Sequence, residues 1–291
     1  MRRAPSYIHG ATNVPLLGET IGDNLRRTVN RFGEREALVA SHQGYRATYR
    51  QLWDQTGLAA RGLLACGVRR GDRIGIWAPN RFEWVVVQYA AARIGAILVN
   101  INPAYKASEL EFVLNHSGTS LLLLARAFRS SNYTLMFAQV RERCPQLRES
   151  IVLDDDWEHL LSEGERTSPD DLAALEALLQ FDDPISIQYT SGTTGFPKGA
   201  TLSHHSILNN GFFVGEALRY SEHDRVCIPV PFYHVFGMVL GNLACTTHGS
   251  TMVVPSEGFE PLAVLQTIET ERCTALYGVP TMFIGELDPR L

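Results

Sequence analysis

The apolar positions of this chain change period repeatedly, between the two-residue beat of a strand and the longer beat of a helix. Ile21, Leu25, Val29 and Phe32 have helical spacing and stop at Gly33. Residues 37–40 and 45–49 read as a hairpin around His42-Gln43-Gly44, leading into a helix over 49–66 that closes at Gly67. A buried strand is predicted at 73–77, a turn at Pro79-Asn80, a helix with a nearly continuous apolar surface at 82–94, and a strand at 96–101. Ser108 and Glu111 predict a capping box for a helix running to Asn115, and a strand follows at 120–124. The stretch 126–183 is less regular, with a strand at 150–153 and amphipathic helices near Trp157 and Asp171.

The alternation then resumes. Strands are predicted at 184–189, 226–230, 250–254 and 274–277, and helices at 203–218, 238–244 and 261–271. This pattern predicts an α/β fold of stacked, largely parallel sheets with helices on both faces. We expect a first α/β subdomain over 1–183 and a second, partial one over 184–291.

One stretch breaks the pattern by being rich in glycine and hydroxyl groups. Thr190-Ser191-Gly192-Thr193-Thr194-Gly195-Phe196-Pro197-Lys198-Gly199 lies between two extended segments. Glycines let backbone N–H groups approach an anion closely, hydroxyls add donors, and a lysine adds charge, so this is a candidate phosphate loop. It is not a Walker loop, because Lys198 follows Pro197 and precedes Gly199. A plain flexible hairpin would explain the composition but not the lysine after a rigid proline. Lysine is scarce here: only Lys106 and Lys198, against 24 arginines.

Composition narrows the classes. With 45% apolar and 20% charged residues the chain is an ordinary globular one, and a net charge of -5 without a basic, aromatic-interleaved stripe argues against nucleic acid. Five scattered cysteines without a C-x-x-C pair point to a reducing compartment and away from zinc. Asp154-Asp155-Asp156 reads as a helix start rather than a cation site, so no metal ligand is assigned. Met1-Arg2-Arg3 leads into polar residues and the longest apolar runs are short, so neither a signal peptide nor a transmembrane segment is expected, and the expected location is cytoplasmic.

The loop resembles the signature of the AMP-forming adenylating enzymes, the superfamily of acyl-CoA synthetases, luciferases and peptide-synthetase adenylation domains. Downstream, Pro231-Phe232-Tyr233-His234-Val235-Phe236-Gly237 is similar to that family's Pro-x-x-His-x-x-Gly segment, and Tyr277-Gly278-Val279-Pro280 to the segment bordering the acyl pocket. A lone histidine of this kind is more often structural; its position after the loop favours the functional reading. The resemblance implies that Thr190, Ser191, Gly192, Thr193, Thr194, Gly195 and Lys198 hold ATP phosphates. It also implies that His234 lies at the acyl carboxylate and that Phe236, Gly237 and Gly278 border the substrate pocket. His204 and His205 read as capping or surface residues.

Asn100-Ile101-Asn102-Pro103-Ala104-Tyr105 and Gly199-Ala200-Thr201-Leu202-Ser203-His204 look like the fatty-acid branch, with an aryl or other acid as the alternative substrate. Phe212, Phe213, Val235, Phe236 and Met238 would suit an alkyl chain or an ordinary core. The implied reaction is ATP-dependent activation of a medium-chain acid to acyl-AMP and then acyl-CoA, with Mg2+ held through the phosphates and coenzyme A as co-substrate. The family's magnesium-binding glutamate, ribose-binding aspartate, hinge and catalytic lysine find no match after Phe283. Three readings follow: a weakly active fragment of such a ligase, one half of a split ligase completed by a partner chain, or a non-catalytic nucleotide- or acyl-binding protein.

Overall fold

The computed structural model describes residues 13–190 and 197–290. The first elements are helix α1 (Ile21–Phe32), the hairpin of β1 (Glu36–Ala40) and β2 (Tyr45–Thr48), α2 (Tyr49–Ala65), β3 (Arg73–Trp77), α3 (Phe82–Ile94) and β4 (Ile97–Asn100). Next come α4 (Ala107–Ser117), β5 (Thr119–Leu124), a small hairpin of β6 (Ala127–Phe128) and β7 (Ser131–Asn132), and α5 (Tyr133–Ala138). After β8 (Glu149–Val152) follow α6 (Leu153–Arg166), α7 (Pro169–Glu176), β9 (Pro184–Thr190), β10 (Lys198–Ser203), α8 (His204–Leu218) and β11 (Arg225–Cys227). A π-helix (Phe236–Leu243), α9 (Ala244–His248), β12 (Thr251–Val254), α10 (Pro261–Glu271), β13 (Ala275–Leu276) and α11 (Pro280–Glu286) complete the described chain.

The strands form two main sheets. One runs β13-β11-β12-β1-β2 and the other β10-β9-β4-β3-β5-β8. Both are parallel except for a single antiparallel strand at one edge, β2 in the first and β10 in the second. Each sheet draws strands from before and after residue 183, so the boundary expected there does not separate the two sheets. The reason is the β9–β10 hairpin, which joins the sheet begun by β3 before the chain crosses to β11.

Helix α3 sits between the sheets, touching β4 of one and β1 of the other. Every residue from Glu83 to Ile94 is buried, as an all-round apolar helix requires. Its charged and amide side chains are paired, Glu83 with Arg81, Arg93 with Glu176 and the Trp53 carbonyl, and Gln88 with the π-helix, whereas the Trp84 indole N–H is buried without a partner. Asp154, Asp155 and Asp156 occupy the first turn of α6, where carboxylates favour the helix dipole. Helix α4 starts earlier than expected: Glu109, not Glu111, reaches back to the Lys106 N–H at 2.8 Å, so Ser108 lies inside the helix rather than capping it.

His204 departs further from the expected surface role. It is fully buried behind the start of α8, and its Nδ1 accepts the Ile21 N–H at 3.2 Å, tying α8 to α1. Burial pulls its pKa down to about 4, Asp183 and Asp23 offsetting only part of that cost. The unfolded chain therefore takes up a proton near pH 6.5 that the folded one refuses until about pH 4, so stability is complete above pH 6.5 and declines as pH falls. From pH 7 to 5 the loss is expected to be about 2 kcal/mol. Urea unfolding at the two pH values checks this, and His204→Gln should remove most of that pH-dependent difference; an unchanged slope would refute the assignment.

Candidate adenylation site

Strand β9 runs parallel to β4 and ends at the carboxyl edge of its sheet, which is where open α/β sheets place ligands. Strand β9 delivers Thr190, and β10 begins at Lys198 directly opposite it in register; both side chains are exposed. The hairpin thus holds the two ends of the glycine- and hydroxyl-rich segment face to face. Ser191, Gly192, Thr193, Thr194 and Gly195 lie outside the described residues. Tyr189, just before Thr190, is braced from α4 by a 2.8 Å hydrogen bond to His116 Nδ1.

The segment after β11 carries His234 in a tight turn. Its N–H donates to the Pro231 carbonyl at 3.2 Å, and its carbonyl accepts from Gly237 and Met238 at 3.0 and 3.1 Å. The imidazole is exposed, and its Nδ1 accepts the Phe236 N–H at 3.1 Å. That bond leaves Nδ1 without a proton in the neutral ring, so Nε2 carries the hydrogen and faces outward as a donor. Such a donor can meet a carboxylate and lower its repulsion from a polyphosphate.

Asn80 fixes this turn in a way the sequence reading, which saw only a turn residue, did not reveal. Its side chain donates to the Val230 carbonyl at 2.9 Å and accepts from the Phe232 N–H at 2.8 Å, while its backbone N–H bonds Glu257. It is almost fully buried, so losing it would leave these groups without their partner. One amide therefore clamps the end of β3 to the segment carrying the histidine.

Beside the turn lies a mainly apolar cavity of about 330 Å3 walled by Asn80, Pro103, Phe128, Tyr233, Phe259 and Met282. Tyr133 and Trp77 stack at 3.8 Å behind it and hold the 102–103 carbonyls. Glu257, on its rim, has its pKa raised by burial. Phe236 and Gly278 instead gather at the end of β13, where the Phe236 ring meets Tyr277 edge-on at 5.3 Å and Gly278 lies under Phe283. Gly237 packs against Pro231, so none of these three lines the cavity. Phe212 stacks on His248 between α8 and α9, and Met238 is buried in the core. Among the described residues there is no cluster of three or more His, Cys, Asp or Glu placed to hold a metal, and no helix long and apolar enough to cross a membrane.

Comparison with known proteins adds to this geometry. Residues 25–290 match the profile of the AMP-binding enzyme family. The chain is 41% identical over 303 residues to the mitochondrial medium-chain acyl-CoA ligase ACSF2 of Danio rerio, covering 97% of this chain and 50% of that protein. It is 39% identical to the acyl-CoA ligase SID4 of Ajellomyces capsulatus, covering 96% and 49%. Among solved structures, a long-chain-fatty-acid-CoA ligase (FadD1) from Archaeoglobus fulgidus superposes with a TM-score of 0.80 at 25% identity, over 97% of this chain and 56% of that one. The inhibitor-bound N-terminal domain of FACL13 from Mycobacterium tuberculosis superposes with a TM-score of 0.77 at 25% identity, over 93% and 65%. The chain thus spans about half the length of the curated relatives it matches.

Proposed function

Since the chain belongs to the AMP-binding enzyme family, we propose that it serves ATP-dependent activation of a medium-chain fatty acid, to acyl-AMP and then to acyl-CoA. A carboxylate oxygen attacks the α-phosphorus of ATP, the bond to the β-phosphate's bridging oxygen breaks, and pyrophosphate leaves. The thiol of coenzyme A then attacks the acyl carbonyl and AMP departs. The segment from Thr190 to Lys198 holds the phosphates, with Ser191, Gly192, Thr193, Thr194 and Gly195 supplying hydroxyls and close backbone, and Lys198 offsets charge on departing pyrophosphate. His234 donates from Nε2 to the carboxylate, Phe236, Gly237 and Gly278 border the acyl group, and Mg2+ arrives with the phosphates. The observation that carries this reading is the register that sets Thr190 opposite Lys198 at the open end of the β9–β10 hairpin.

A cytoplasmic location belongs to the same proposal, although the Danio rerio relative is named as a mitochondrial protein. A second reading is that the chain binds nucleotide without carrying out adenylation itself; the exposed Thr190–Lys198 end of the hairpin would serve it equally.

Decanoate-dependent ATP–pyrophosphate exchange by the purified chain with magnesium tests the proposal, and calorimetric binding of Mg-ATP separates the second reading. Lys198→Ala is expected to lower exchange by about 10² or more, the usual loss on removing one preorganised donor. Binding without exchange supports the nucleotide-binding reading. Neither binding nor exchange from a folded sample overturns both.

A further inference from the structure

Met238 makes contacts that ordinary core filling does not explain. Its sulfur accepts the Asn100 amide from the end of β4 at 3.1 Å and the Gln188 amide from β9 at 2.9 Å. Its backbone N–H bonds the His234 carbonyl, and its own carbonyl takes the Gln88 amide from α3 at 3.0 Å. Gln88 in turn accepts from Asn242 at 2.8 Å, one π-turn further on. Met238, Asn100, Gln188, Gln88 and Asn242 are all buried.

A thioether is a weak acceptor, and buried amides cost free energy unless paired. The Gln188 amide is aimed at sulfur, and the Asn100 amide is shared between sulfur and Ser186 Oγ at 3.0 Å, which is a poor way to stabilise a core. The arrangement fixes position instead, because sulfur and backbone of one residue bind three elements at once. Gln188 stands two residues before Thr190, and Met238 four after His234.

We propose that Met238 is a positioning residue that sets the strand leading to Thr190 against the turn carrying His234, so that carboxylate and nucleotide are held at one separation. This rests on the reading that the Thr190–Lys198 hairpin holds ATP and His234 the carboxylate. Met238→Leu keeps the volume but removes the acceptor. A ligand touching one segment is then little affected, whereas a ligand spanning both meets them at the wrong spacing.

The test compares two probes by calorimetry on the full chain: Mg-ATP alone, and 5′-O-(N-decanoylsulfamoyl)adenosine, a stable mimic of the acyl-adenylate. Met238→Leu is expected to weaken the mimic roughly tenfold or more while Mg-ATP affinity stays within about twofold. Gln188→Leu, which keeps Met238 and removes one donor, should show the same selectivity and guards against one variant failing to fold. Equal loss for both probes means a merely structural role and overturns the proposal, as does no loss for either. If neither probe binds the unsubstituted chain, the nucleotide-site reading itself has failed and the positioning role falls with it.

Discussion

Gly164→Ala is expected to lower the thermal unfolding midpoint by roughly 10 °C. Helices α2 and α6 cross backbone against backbone: a Cβ at Gly164 would stand 2.1 Å from the Leu58 carbonyl oxygen, and one at Gly62 would stand 2.2 Å from that of Leu160. Arg61 closes the crossing by donating to the Gly164 carbonyl at 2.8 Å. The atoms in the way are main chain, so no side chain can rotate to make room. The helices would separate, lose close packing along the crossing, and cost about 3–5 kcal/mol. Calorimetry checks this, with exposed Gly18→Ala as control, since nothing lies within 4 Å of a Cβ there. A midpoint within two or so degrees of the unsubstituted chain would show that the crossing yields easily.

The second large effect falls on the candidate site. A Cβ at Gly237 would sit 2.4 Å from the Pro231 carbonyl oxygen, the same oxygen that accepts the His234 N–H. Gly237→Ala therefore drives the turn outward and carries the imidazole with it. Misplacement on that scale is expected to reduce affinity for the decanoyl-adenylate mimic by about 10²-fold. The loss of stability should be smaller than for Gly164→Ala, because the turn lies at the surface. An alanine variant that binds the mimic as tightly as the original would disconnect this glycine from the histidine's placement.

Much of the architecture was legible because α/β alternation leaves a local mark. The apolar sweep of residues 82–94 is a helix buried on all sides, and the alternation after it is the parallel sheet. What escaped depended on contacts far apart in the chain. His204 follows a capping serine and reads as a helix start; its burial comes from α1, 183 residues away. Asn80 reads as a turn because its partners lie 150 and 152 residues further on. Met238 reads as apolar lining, since nothing local reveals amides arriving from β4 and β9. The candidate phosphate loop is the reverse case: its glycines, hydroxyls and lysine are read directly from the sequence, while the described structure supplies its two ends, Thr190 and Lys198.

Residues 238–244 were expected to form a helix, and the pattern of apolar residues gave no hint that the turns from Phe236 to Leu243 would be π rather than α. This widened coil has a consequence for comparing chains of different length. Its i→i+5 bonds hold about one residue more per turn than an α-helix does. Removing one residue between 239 and 243 would let the stretch close to ordinary α pitch, with the histidine turn and α9 kept where they are. The same deletion in an α-helix would swing one end by about 100° against the other. A one-residue alignment gap placed here marks π exchanged for α, not a loop of different size.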